Sequence, residues 1–157
     1  MSHDEFVRAC GPIYEKSPWI AAGAAAQRPF ASAAALLGAT RAVVHAAPPE
    51  RQLALICAHP DLATRLALTQ ESQREQTGAG LTELTPVETA LFRSQNDAYR
   101  KRFSFPFIVC ARLNSKDAIL AAFDRRLNNS RDDEIQTALA EIFKIAELRL
   151  RDLCPEN

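Results

Sequence analysis

Apolar residues in this chain recur at intervals of three and four, and the β-branched alternation that builds strands is almost absent. The last stretch is the clearest: Ile135, Ala138, Leu139, Ile142, Ile145, Ala146 and Arg149 fall on one helical face. Start and stop signals divide the rest. Ser2 and Glu5 form a capping-box pattern ahead of a helix to about Cys10. Ser17 followed by Pro18 supplies an N-cap and a first-turn proline for a second helix, which begins near Trp19 and stops before Pro29. Ser32 caps a third to about Ala46. A fourth spans Pro48 to Cys57, and its exit is forced because His59 precedes Pro60 and is pushed out of the α region. Thr69 opens a fifth through Gln76, ended by the Gly78-Ala79-Gly80 break, and Thr85, Pro86 and Glu88 combine cap, proline and capping box for a sixth towards Phe103. Ser115 caps a seventh to about Leu127, and Ser130 an eighth to about Leu153. Between the sixth and seventh, Ser104-Phe105-Pro106-Phe107-Ile108-Val109-Cys110 is continuously apolar, too short for a helix and without a second strand to pair with. It must run through the core. The pattern predicts an all-α bundle of about eight helices with one short extended core segment.

Length and composition narrow the picture. With 157 residues and 47% hydrophobic content, the chain is expected to form one domain over 1–157 around one core. Folding at this size hides roughly 70% of the unfolded surface, so neither metal nor disulfide is needed as a staple. Nineteen basic residues balance nineteen acidic ones, without the basic excess of a nucleic-acid binder. Cys10, Cys57, Cys110 and Cys154 are far apart, form no C-x-x-C pair and are expected to be reduced. The start lacks a signal-peptide pattern, the alanine-rich run from Trp19 to Leu37 is cut by Gln27, Arg28 and Pro29, and the C-terminus carries no peroxisomal address. A cytoplasmic location without membrane attachment is expected.

Four features could carry chemistry. His59 sits at a helix exit whose backbone is set by Pro60, where an imidazole can point into a cleft as a general acid or base, or simply hydrogen-bond to backbone. With only His3, His45 and His59 and no H-x-x-x-H spacing, a metal site has little support. Ser72, Glu75 and Gln76 stand at i, i+3 and i+4 and converge on one helical face, although Ser72 with Glu75 is equally a capping box. Arg149 falls on the apolar stripe of the last helix. A guanidinium there either snorkels at the helix end, meets an anion in a pocket, or pairs internally with a carboxylate such as Asp61, Asp124 or Glu75. Finally, the extended run Phe107 to Ala111 leaves backbone groups needing partners, which a flat heterocycle with amide-like edges, side chains or water could supply.

Five runs occur in order in this chain: Gly11-Pro12-Ile13-Tyr14-Glu15-Lys16-Ser17-Pro18-Trp19-Ile20-Ala21, Arg28-Pro29-Phe30, His59-Pro60-Asp61-Leu62-Ala63, Glu71-Ser72-Gln73-Arg74-Glu75-Gln76 and Phe105-Pro106-Phe107-Ile108. Together they resemble OHCU decarboxylase, the 2-oxo-4-hydroxy-4-carboxy-5-ureidoimidazoline decarboxylase of urate catabolism, from about Phe6 to Leu150. The resemblance implies an all-helical, cofactor-free enzyme, commonly a homodimer, that converts OHCU to (S)-allantoin and carbon dioxide. It implies that His59 is the catalytic acid or base with Glu75 beside it, and that Pro60 lies next to the substrate. Ser72, Gln73, Arg74, Glu75 and Gln76 correspond to substrate contacts, the backbone of Phe107, Ile108, Val109, Cys110 and Ala111 to the cradle of the ring, and Arg149 to the final-helix arginine. The family often has glycine where this chain has Ser104, a departure that touches turn conformation rather than a catalytic group. Readings from other classes are a non-catalytic helical sensor binding a ureide or purine-derived ligand, and a helical interaction module with no pocket.

Overall fold

The computed structural model describes residues 1–60, 62 and 85–155, which contain seven α-helices and no strand. The fifth expected helix, Thr69 to Gln76, lies outside the described residues. The chain packs as two compact units, one made of Met1–Ala58 with Ile142–Asn157 and the other of His59–Glu141.

The first unit opens with α1 (His3–Cys10), whose capping box forms in full: Ser2 Oγ accepts from Glu5 N at 3.2 Å, and Ser2 N donates to Glu5 Oε2 at 2.6 Å. The second helix, α2 (Pro18–Ala24), tightens into a 3-10 turn over Ala25–Gln27. Here the expectation of a serine cap fails. Ser17, at φ −131° and ψ 60°, is outside the extended region of a capping residue, and its hydroxyl donates to Glu15 O at 2.8 Å instead. Proline alone sets the start of α2. Ser32 does cap α3 (Ala33–Ala46), accepting from Ala35 N at 3.1 Å, and α4 (Pro49–Ala58) follows. The close approach of α2 and α3 explains Gly23, because a Cβ there would come within 2.9 Å of Val43 Cγ1. A buried hydroxyl pair, Tyr14 Oη and Thr40 Oγ1 at 2.9 Å, links the turn before α2 to α3.

The second unit is built on α5 (Pro86–Phe103), α6 (Lys116–Arg126) and the first part of α7 (Arg131–Leu153), which passes into the first unit at Ile142. Thr85 and Glu88 complete the expected capping box of α5, Ser115 Oγ accepts from Ala118 N, and Ser130 Oγ accepts from Asp133 N. The chain leaves α5 through Ser104 in the left-handed region, φ 63° and ψ 23°, its N–H donating to Arg100 O at 2.8 Å. Such a residue after a helix is ordinarily glycine. From Phe105 to Ala111 every residue is buried, whereas Ser104, expected in the same core run, is exposed because it forms the left-handed turn; the rings of Phe107 and Phe123 stack with centroids 3.8 Å apart. On α7 the apolar stripe is buried from Ala138 onwards, but Ile135 is only half-buried, and Glu134 beside it is fully buried. Three hydrogen-bond donors on Glu134 account for that exchange.

Candidate active site

His59 stands in the bend directly after α4 and is 6% exposed, with Pro60 half-buried beside it. The proline disfavours the α region for His59, so the end of the helix does not depend on the imidazole. The turn that follows is held from α5, where Asn96 Nδ2 donates to Leu62 O at 2.6 Å. This tie immobilises the backbone three residues after the histidine. Sequence reasoning did not single out Asn96, since nothing local marks it.

The run Phe107–Ala111 does find internal partners. Arg126 Nη1 donates to Ile108 O at 2.6 Å, and Cys110 O accepts from Asn114 Nδ2 at 2.9 Å and from Leu113 N at 3.1 Å. Two carbonyls of the extended stretch are therefore satisfied by protein. Arg126 is itself fixed: its Nε donates to Glu134 Oε1 at 2.5 Å, and its guanidinium carbon lies 4.2 Å from the centroid of the Phe107 ring. Tyr99 Oη donates to the same Glu134 oxygen at 2.6 Å, and Asn129 Nδ2 donates to Glu134 Oε2 at 3.0 Å. Burial, with the Glu134 carboxylate close by, pushes the Tyr99 phenol well above its ordinary range, so it serves as a donor.

In the first unit, Arg149 is 4% exposed and does not snorkel. Its Nη2 lies 3.1 Å from Glu15 Oε2, and its Nη1 donates to Ile13 O at 3.5 Å. Sequence reasoning missed Glu15 as a partner. Asp124 accepts instead from Gln95 Nε2 at 3.0 Å, and Asp61 and Glu75 are outside the described residues. Glu15 is buried and tightly placed: Ser17 Oγ holds its carbonyl, and Lys16 next to it has φ 45°. Ser72, Gln73, Arg74, Glu75 and Gln76 also lie outside the described residues. His59 and Phe107–Ala111 belong to the second unit, Arg149 and Glu15 to the first.

Among the described residues there is no cluster of three or more His, Cys, Asp or Glu that could hold a metal, and no helix long and apolar enough to cross a membrane. Cys10, Cys57, Cys110 and Cys154 are free thiols.

A sequence model of the OHCU decarboxylase family matches residues 1–151. The chain belongs to the OHCU decarboxylase family. It is 43% identical over 152 residues to the 2-oxo-4-hydroxy-4-carboxy-5-ureidoimidazoline decarboxylase of Haloferax volcanii, covering 97% of this chain and 90% of the relative. The mouse enzyme of the same name is 42% identical over 157 residues, with 98% and 88% covered. A crystal structure of OHCU decarboxylase in the presence of (S)-allantoin superposes with a TM-score of 0.76 at 24% identity, over 98% of this chain and 99% of that one, and so shares the fold. The all-α architecture expected from periodicity is thus the architecture of an OHCU decarboxylase.

Proposed function

We propose that this chain decarboxylates OHCU to (S)-allantoin and carbon dioxide in urate degradation. The observation that carries the reading is the match of residues 1–151 to the family, together with the five ordered sequence runs. Loss of carbon dioxide leaves an electron pair that the adjacent C=N of the ring absorbs, so the substrate carries its own electron sink. The protein must then orient the carboxylate, manage the neighbouring hydroxyl proton and protonate one face of the carbanion equivalent. His59 is the group for proton transfer, its backbone set by Pro60 and by the Asn96 tie to Leu62. Glu75 fixes the imidazole tautomer or holds a ureido N–H, and Ser72, Gln73, Arg74 and Gln76 complete the polar contacts. The backbone of Phe107–Ala111 cradles the ring. Arg149, oriented by Glu15, recognises an anionic oxygen. The enzyme works as a cytoplasmic homodimer.

Chirality provides the test. Spontaneous decay of freshly generated OHCU gives racemic allantoin, whereas an enzyme accelerates formation of one hand. A sensor would bind without acceleration, and an interaction module would do neither. His59→Ala is expected to abolish the acceleration while leaving the helical circular dichroism intact, because Pro60 rather than the imidazole ends α4. Near-normal turnover by that variant removes His59 from the mechanism.

A further inference from the structure

One buried polar cluster among the described residues of the second unit has no part in the reaction as set out above. Glu134 is fully buried and receives Tyr99 Oη, Arg126 Nε and Asn129 Nδ2, so both of its oxygens are engaged. Arg126 is 3% exposed. A buried ion pair is a weak source of stability, because desolvation offsets the attraction, and its geometry calls for another reason. That reason lies in what the guanidinium does with its remaining reach. Nη1 holds Ile108 O at 2.6 Å and the planar face covers the Phe107 ring at 4.2 Å, so one side chain grips two successive residues of the extended run. Asn114 and Leu113 hold the carbonyl of Cys110. Peptide groups in an extended run face alternate sides, so fixing Ile108 and Cys110 on the protein side turns the N–H and C=O of Val109 the other way. A donor and an acceptor side by side match the amide-like edge of a ureide ring.

We infer that Arg126 is a positioning residue for OHCU binding: held by Glu134, it fixes the Ile108 carbonyl and the Phe107 ring so that the Val109 backbone meets the ring edge. The inference rests on the reading of Phe107–Ala111 as the cradle.

Three variants test it with freshly generated OHCU, reading KM, kcat and melting temperature on each. Arg126→Lys keeps the charge but cannot hold Glu134, Ile108 and the Phe107 face together, and KM is expected to rise about tenfold or more with the loss falling on KM rather than kcat. A merely structural arginine would lower the melting temperature and the active fraction, leaving the KM of the surviving enzyme unmoved, and that result overturns the inference. Glu134→Gln retains the acceptor for Arg126 and Tyr99 but removes the charge, so a smaller rise of about threefold is expected. Should Arg126→Lys fail to fold, an unchanged KM in Glu134→Gln overturns the inference in its place. Val109→Pro deletes the N–H at the cradle itself and is expected to raise KM. Raised KM there with unchanged KM in Arg126→Lys sinks the inference alone, whereas unchanged KM in both sinks the cradle reading on which it rests.

Discussion

Arg149→Lys separates two roles of one buried arginine, because stability and catalysis respond to different atoms. At 4% exposure the guanidinium engages Glu15 Oε2 at 3.1 Å through Nη2 and Ile13 O at 3.5 Å through Nη1. A lysine nitrogen is a single point and cannot reproduce both contacts from the same stem. Nor can Glu15 follow it: Ser17 Oγ holds its carbonyl at 2.8 Å, and Lys16 beside it is already at φ 45°. Loss of one hydrogen bond to a charged group costs about 2 kcal/mol. For a chain of this length each kcal/mol moves the melting temperature by about 2–4 °C, so a fall of roughly 4–8 °C is expected by calorimetry. If Arg149 also recognises the substrate, kcat/KM falls about tenfold, or about 1.4 kcal/mol of transition-state binding, in the same preparation. A melting temperature within about 1 °C of the unmodified protein would refute the buried pairing. Unchanged kcat/KM beside a clear thermal loss would leave Arg149 a structural residue and remove it from the site.

Other outcomes follow from the fold. Ser104→Gly should stabilise the protein by about 0.5–1 kcal/mol in urea unfolding, since glycine relieves the left-handed backbone at φ 63°, and a loss of stability would show that the serine side chain matters more than its backbone. Under a thiol alkylator followed by mass spectrometry, exposed Cys57 and Cys154 should react first, half-buried Cys10 later and buried Cys110 last, with the Cys10 thiol further slowed because burial pushes its pKa up. The hydrogen bond from Lys116, 2.7 Å away, and then the capping contact with the Thr85 backbone hold the Glu88 carboxyl below its ordinary range. A depressed carboxylate contributes stability that is present above the unfolded pKa and lost as pH falls through the folded one, so Glu88→Gln should flatten the acid side of the stability profile below about pH 4, and an unchanged slope would refute the contribution.

What the sequence made legible was local. Ser2, Ser32, Thr85, Ser115 and Ser130 were readable as caps because a cap is a hydrogen bond across three residues, and each of the five side chains accepts from the backbone N–H three residues on. Ser17 looked the same in sequence but answers to Glu15, a choice set by backbone angles that no residue pattern encodes. Ser104, read with the extended run, is instead the exposed left-handed residue that ends α5; the run itself was legible as core over Phe105 to Cys110, because nothing else could absorb six consecutive apolar residues without helix length or a partner strand. The partners of its carbonyls were not, since Arg126 reaches Ile108 across 18 positions. Arg149 stood out as a charge on an apolar face, yet its carboxylate lies 134 residues away in the chain. Periodicity can show that a charge is buried, but only the fold can show what meets it.

The two buried arginines among the described residues share one physical logic, and it bears on why each occupies its place. Each is almost wholly withdrawn from water, each meets a buried carboxylate, and each sends a second nitrogen to a backbone carbonyl: Arg126 to Ile108 and Arg149 to Ile13. Apolar side chains of similar volume often replace a buried ion pair at equal or lower free energy, so stability alone does not single out a charged pair at either position. What an apolar replacement cannot do is hold a carbonyl at a fixed distance and orient a cation at the same time. At Arg126 that constraint falls on the run proposed to cradle the ring; at Arg149 it falls on the guanidinium proposed to recognise the anion. On that proposal both carboxylates are positioning groups, and loss of the Glu15 or Glu134 charge is expected to reach the substrate only through the arginine each holds.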